Sequence, residues 1–357
     1  MRRVALWLTA VFLLLGTGSK AQELLYDLEL LSYFDNREYK VDFQRPQTIL
    51  GMRIAPELGL GTADEKAGSH KLMLGLNYIQ PLGVGIKEAL VVPTVYYRYV
   101  HNRFRVNLGA VPYSYLTESL PDYLMYDSLA YVHPNMQGGL FQYVAPRGYA
   151  EFLCDWRSAQ SLERYEAFRL IIQARYQRGV LFGGGRAQLN HLANRARPAP
   201  RTGVSDDLIV HPYLGLDFSR KLLLDSLSLQ AGYLFGYQRD RSADQGTYLP
   251  RAFYLELFAR WKRIGLKNVL YAGDNLFPLY PVKGNLLNQG DPFYQAGFYN
   301  RTDAFVYLIS TKRVNCYLSF NFHYTRQGGL NHQQQLVLRF NPGNILPMEK
   351  SMSVLGK

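Results

Sequence analysis

The stretch from Glu166 to Asn190, EAFRLIIQARYQRGVLFGGGRAQLN, alternates with a period of two. Phe168, Leu170, Ile172, Ala174 and Tyr176 form one set, and Arg169, Ile171, Gln173, Arg175 and Gln177 the other. Such a period belongs to an extended strand, whose successive side chains point to opposite faces. The same rhythm returns in Leu72–Leu74–Leu76–Tyr78, Phe104–Val106–Leu108–Ala110, Leu227–Leu229–Ala231–Tyr233, Phe253–Leu255–Leu257–Ala259 and Val314–Cys316–Leu318–Phe320. Several runs reach the roughly 9–11 residues that a tilted strand needs to cross a bilayer.

The chain opens with a basic Arg2-Arg3 pair, an apolar run over 4–15 and a small-x-small step, Ser19-Lys20-Ala21. This reads as a secretory leader over 1–21, and the absence of cysteine at its end argues against lipid anchoring. No second apolar run approaches twenty residues, which excludes a bundle of membrane-crossing helices. The 28 tyrosines fit alternating strands with aromatic ends. Cys154 and Cys316 are too few for a disulfide framework, and both stand in the apolar set of their strands.

About sixteen strands can be traced, with fourteen as the competing count, because the run over 292–309 is interrupted by Asn300-Arg301-Thr302-Asp303. Odd-numbered strands are followed by long connections such as 112–137 and 273–291. Even-numbered strands are followed mostly by tight turns such as His101-Asn102 and Ala145-Pro146-Arg147. Long loops on one rim and short turns on the other mark a transmembrane barrel. Lipid requires the apolar set to face outward and every backbone group to be paired, so the sheet must close on itself. The fold expected is therefore an all-β, transmembrane, antiparallel up-and-down β-barrel over 22–340, with a periplasmic extension over 341–357 and both ends of the barrel on the periplasmic side.

The leader, the strand rhythm and the terminal strand QQQLVLRF ending at Phe340 resemble Gram-negative outer-membrane β-barrels. The Asn36-Arg37-Glu38-Tyr39 segment, the Asp155-Trp156 step and the tyrosine-rich strands are similar to porin-like barrels of the Bacteroidota. The chain departs from that pattern in continuing past Phe340 with NPGNILPMEKSMSVLGK.

Formal charge is +12, or +9 once Arg2, Arg3 and Lys20 are removed with the leader. Export argues against nucleic acid as the partner of this charge, leaving lipid headgroups and anionic solutes. The alternation directs Arg53, Lys71, Arg98, Arg103, Arg105, Arg169, Arg175, Arg186 and Arg260 into the lumen, against Asp27, Glu29, Glu151, Asp155, Asp217 and Glu256. Nine cations against six acids read either as an anion-attracting pore wall or as a salt-bridged brace. The leading functional reading is a porin-like channel for passive diffusion of small anionic or polar solutes, without enzymatic activity. A non-conducting scaffold of an envelope complex is the alternative.

A lipid-acting hydrolase stands third, resting on Ser319, Asn321 and His323, which share one face at alternate positions. Gly183-Gly184-Gly185 lacks the Lys-Ser/Thr of a phosphate loop and reads as relief of crowding. Histidines are scattered without metal-ligand spacing, and no cofactor is expected. Loop 112–137, with Leu116, Leu120 and Leu124 at helical spacing, reads as a lumen constriction, a lid or a surface loop. The basic loop at 191–207 suits lipopolysaccharide phosphates. Outer-membrane lipid, lipopolysaccharide and small solutes are the expected partners, with a second copy or an envelope-complex subunit as the protein partner.

Overall fold

A computed structural model describes residues 23–64, 66–196, 203–241 and 246–342. The leader over 1–21, the extension beyond 342 and part of the basic loop at 191–207 lie outside the described residues. The strands in chain order are β1 (Glu23–Glu38), β2 (Gln47–Asp64), β3 (Gly68–Pro81), β4 (Leu90–His101), β5 (Phe104–Pro112) and β6 (Asn135–Ala145). They continue with β7 (Gly148–Ser158), β8 (Glu166–Arg178), β9 (Leu181–Ala193), β10 (Ser205–Asp217), β11 (Ser226–Asp240) and the two-residue β12 (Thr247–Tyr248). The last five are β13 (Arg251–Trp261), β14 (Ile264–Gly273), β15 (Phe298–Ser310), β16 (Val314–Thr325) and β17 (Gly329–Phe340).

Apart from the short β12, each strand pairs antiparallel with the strands before and after it, and β1 pairs with β17 from Leu30↔Phe340 to Glu38↔His332. This pairing closes the barrel. Because β11 pairs directly with β13, β12 is an accessory bridge and the wall has sixteen staves. The run Asn300–Asp303, which looked like an interruption, lies inside an unbroken ladder between β14 and β16. The irregularity of β15 falls later, between Tyr307 and Ile309, and its start moves to Phe298 because Pro292–Gln295 forms a 3-10 turn.

Leu24, Leu28, Leu58, Leu72, Leu74, Ile172, Leu214 and Phe320 are exposed on the outer face. A closed wall with so continuous an apolar exterior requires lipid around it. Cys154 and Cys316 are free and share that outward register. Tight turns on the short rim use left-handed residues, Asn102 at φ 53° and Gly179 at φ 68°. Gly184 answers the glycine run: a Cβ there would meet Ala174 O at 2.2 Å and the Tyr213 hydroxyl at 2.6 Å. The absent side chain makes room for a neighbouring ring.

The lumen is packed at its long-loop end. Strand boundaries shorten loop 112–137 to residues 113–134, and it folds inward with Leu116, Tyr123 and Leu124 buried. Its helix is α1 (Asp127–Val132), later than the leucine spacing suggested, because Tyr113–Leu124 spends its apolar residues on the wall instead. The loop over 274–297 joins it: Asp291 N donates to Asp122 O at 2.8 Å, and Tyr126 N to Gln289 O at 2.8 Å. Tyr123, Leu124, Phe277, Phe293 and Tyr294 pack with Tyr254, Tyr271 and Tyr299 of the wall. Stacked and edge-on aromatic pairs join these rings into one core.

Candidate functional site

Several inward arginines are held by carboxylates, some of which come from the loops. Arg53 pairs with Glu29. Arg98 donates to Asn107 Oδ1 at 2.8 Å and lies 4.3 Å from the centre of the Tyr115 ring. Arg169 is fully buried, 3.2 Å from Asp155, and also donates to Leu124 O at 3.3 Å. Glu118 of the inward loop bridges Arg175 at 3.0 Å and Arg186 at 3.3 Å, and Asp217 stands 3.6 Å from Arg175. Lys71, Arg105 and Arg260 are half-buried at inward positions of β3, β5 and β13. Arg103 differs from the expectation: it lies in a turn, exposed, and donates to the Tyr143 hydroxyl at 3.0 Å.

The densest charge cluster centres on Arg301, 3.2 Å from Asp122, 2.8 Å from Asp127 and 2.8 Å from Asp303. Asp122 and Asp127 belong to the inward loop, so this cluster ties that loop to the wall. Counting wall residues alone could not find such pairs, because the loop acids meet the wall only after the chain folds back. Burial pushes the carboxyl of Asp291, on the second inward loop, up to about 7 against the opposing pull of Arg301.

Ser319, Asn321 and His323 share the inner face of β16, but they do not assemble a nucleophile and base. Ser319 donates to Asn321, while His323 is bonded to the Tyr299 hydroxyl at 2.7 Å and Gln333 at 3.3 Å. All three are buried beneath the aromatic core. A lipid ester has no route to them through that packing.

A different constellation lies on the outer face, at the seam that closes the barrel. Asn36 and Glu38 of β1, Thr48 of β2, and His332 and Gln334 of β17 share the outward register of Phe34, Leu50 and Leu336. Asn36 is the cross-strand partner of both Gln334 and Thr48, and Glu38 that of His332. Thr48 Oγ1 donates to Asn36 Oδ1 at 2.7 Å. Asn36 Nδ2 donates to Gln334 Oε1 at 2.8 Å and Glu38 Oε1 at 3.2 Å. The Gln334 amide contacts His332 Nδ1 at 2.8 Å.

On the far side of β17, Phe322 pairs with His332 and Phe320 with Gln334, both exposed. The polar network therefore stands level with exposed outward-facing aromatics, near the long-loop boundary of the apolar outer face. Its position on the outside, not its hydrogen bonding, sets it apart from the polar ladders inside. A carboxylate, an imidazole, a hydroxyl and two amides at that boundary are groups able to move a proton and to stabilise an oxyanion. The sequence held one signal for it: polar residues persisting in the outward set at the long-loop ends of the first, second and last strands. These become neighbours only on closure. Among the described residues, no group of three or more His, Cys, Asp or Glu side chains converges as a metal-ligand set.

The fold is shared with solved porins. Pseudomonas putida OprB is 10% identical with a TM-score of 0.51, covering 94% of this chain and 97% of its own. Pseudomonas aeruginosa OpdO is 10% identical with a TM-score of 0.50, covering 90% and 98%. At such identities the likeness establishes the outer-membrane barrel fold alone. No curated protein matches the chain significantly. A family model described as lipid A 3'-O-deacylase-type matches residues 17–347. This match overturns the expectation that the chain is not an enzyme, since the family is an enzyme family. The channel-like wall had pointed away from chemistry because its alternation reports only the architecture. The chain belongs to the lipid A 3'-O-deacylase-type family.

Proposed function

We propose that this barrel hydrolyses an acyl ester of an outer-leaflet glycolipid, and that the seam network of Asn36, Glu38, Thr48, His332 and Gln334 carries the reaction. The observation that supports the reading most is the outward placement of a hydrogen-bonded Glu, His and amide set beside lipid-facing Phe320 and Phe322. An ester in the outer leaflet lies at that level, so the substrate need not leave the membrane. In this reading the long-loop rim is extracellular and the barrel ends are periplasmic, the chain being exported by its leader.

His332 takes a proton from water as the water oxygen attacks the ester carbonyl carbon. Glu38, opposite it, stabilises the imidazolium that forms. The Gln334 amide donates its second N–H to the carbonyl oxygen as it becomes an oxyanion, while Asn36 holds Gln334 and Glu38 in place through its own two N–H groups. Collapse breaks the bond to the sugar oxygen, which takes the proton back, releasing a fatty acid and a free hydroxyl. Thr48 is a positioning residue that fixes the orientation of the Asn36 amide.

The test is acyl-chain release from lipid A in proteoliposomes, followed by mass spectrometry. Glu38→Gln and His332→Ala should each lower the rate by about 100-fold or more, the usual scale for losing general acid–base catalysis. Unchanged release in both variants would sink the assignment.

The porin fold favours a second reading, passive diffusion of small anionic solutes. Its requirement for unpaired inward cations sits poorly with the ion pairs of Arg169, Arg175 and Arg186. Single-channel recording separates the two readings. The hydrolase reading expects a closed or low-conductance barrel that opens on deletion of residues 115–132, whereas steady anion conductance in the intact chain would favour diffusion.

A further inference from the structure

The tip of the β1–β2 hairpin has two sides. Its outer side carries Thr48 and the seam network. Its inner side borders a cleft of about 380 Å³ on the long-loop rim, where Gln47, the residue before Thr48, contributes to the lining. This volume falls in the range of about 300–1,000 Å³ usual for small-molecule sites.

The lining has a definite chemistry. Phe43, Tyr126 and Tyr280 supply ring surface from three separate loops. Gln44, Gln47 and Asn285 supply amides, each of which can both donate and accept. Tyr280 is fixed by a 2.6 Å hydrogen bond from its hydroxyl to Asn285 Oδ1, and Gln44 by a 3.2 Å bond to Asp291. Arg37 forms the floor, its charge matched by Asp35 at 2.6 Å, with its guanidinium 4.8 Å from the centre of the Tyr126 ring. Arg45 is exposed at the mouth.

Rings that pack against C–H faces, amides that match neighbouring hydroxyls, and an arginine that donates to a phosphate or carboxylate together describe one ligand class. An apolar ligand would leave the remaining hydrogen-bonding capacity of these amides and the exposed Arg45 unused, and bare phosphate would leave the rings unused. We infer that this cleft binds an anionic saccharide, and that it receives the sugar headgroup of the glycolipid whose ester meets the seam network. The identity of that glycolipid rests on the hydrolase reading. Saccharide binding does not. The headgroup would fold over the hairpin tip, leaving its acyl chains in the bilayer beside β17.

The test is calorimetric titration of the detergent-solubilised full chain with fully deacylated lipid A backbone, the glucosamine disaccharide bisphosphate. Unphosphorylated chitobiose and inorganic phosphate serve as the two partial probes. The bisphosphate should bind, each partial probe should bind at least about tenfold more weakly, and Arg45→Glu and Tyr280→Ala should each weaken the bisphosphate at least about tenfold. Retained heat-modifiable gel mobility would show that the variants fold.

Binding of inorganic phosphate as tight as the bisphosphate, or indifference to both substitutions, would overturn the inference. So would absence of binding by the unaltered chain. If the bisphosphate fails to bind while intact lipid A is still deacylated, the cleft falls and the hydrolase reading stands. If it binds with the expected dependence but intact lipid A is never deacylated, the saccharide site stands and the hydrolase reading falls.

Discussion

Four consecutive residues of β1, Asp35 to Glu38, present two chemistries on opposite faces of one strand. Inward, Asp35 and Arg37 are buried and paired at 2.6 Å, with Gln333 donating to Asp35 at 2.7 Å. Outward, Asn36 is partly open and Glu38 is exposed, and they meet Thr48, Gln334 and His332. The inner pair is surrounded by protein and has its partners in place, so its role is to hold the loops and the closing strand. The outer set lies on the exposed outer face, level with the rings of Phe320 and Phe322. The difference shows that the inner charge is paired into the bracing of this barrel, whereas on the seam proposal the outer polar groups carry the chemistry.

The two faces should respond very differently to substitution. Arg37→Ala should destabilise the barrel by about 3–5 kcal/mol, because Asp35 is left buried without its cation. Urea unfolding in detergent would measure this, and a loss below about 1 kcal/mol would contradict the bracing role. Leu257, in the apolar outward set of β13, tests the lipid face away from the seam. Leu257→Arg should cost about 2–4 kcal/mol if that position lies at mid-bilayer, and less if the outer face were solvated.

The interior should carry a pH effect on stability. The Asp291 carboxyl is raised from 3.8 to about 7, so the folded state holds its proton more tightly than the unfolded chain. Its contribution to stability is therefore full in acid and is lost as pH climbs through that window. Asp291→Asn should flatten the difference between acidic and mildly alkaline unfolding midpoints, and an unaltered slope would remove Asp291 as its source. The smallest stability change is expected at the seam. Glu38→Gln should shift stability by no more than about 0.5 kcal/mol, as usual for an exposed group, while abolishing hydrolysis. A large stability loss there would make Glu38 another structural charge.

The wall was legible from sequence because lipid imposes a strict period of two on every crossing strand, as in Leu170, Leu229 and Leu318 against Arg175, Gln230 and Asn321. The filling of the lumen was only half legible. Leu116 and Leu124 signalled a loop with apolar content, but nothing local told that Glu118 would reach Arg175 and Arg186, or that Asp122 would reach Arg301. Those contacts span tens of residues and depend on where the loop lands. Ser319 and His323 are residue types suited to hydrolysis, but on the inner face Ser319 bonds Asn321 and His323 bonds Tyr299 and Gln333, pairings that strand spacing alone did not reveal. Asn36 and Glu38 were visible in sequence, yet their partners His332 and Gln334 lie at the other end of the chain and join them only when β1 meets β17.

The most direct test is mass spectrometry of lipid A incubated in proteoliposomes with the unaltered barrel, with His332→Ala and with Ser319→Ala/His323→Ala. The seam account predicts loss of one acyl chain with the unaltered protein and with the inward double variant, and no loss with His332→Ala. Deacylation that survives His332→Ala, or that disappears only in the inward double variant, would contradict it.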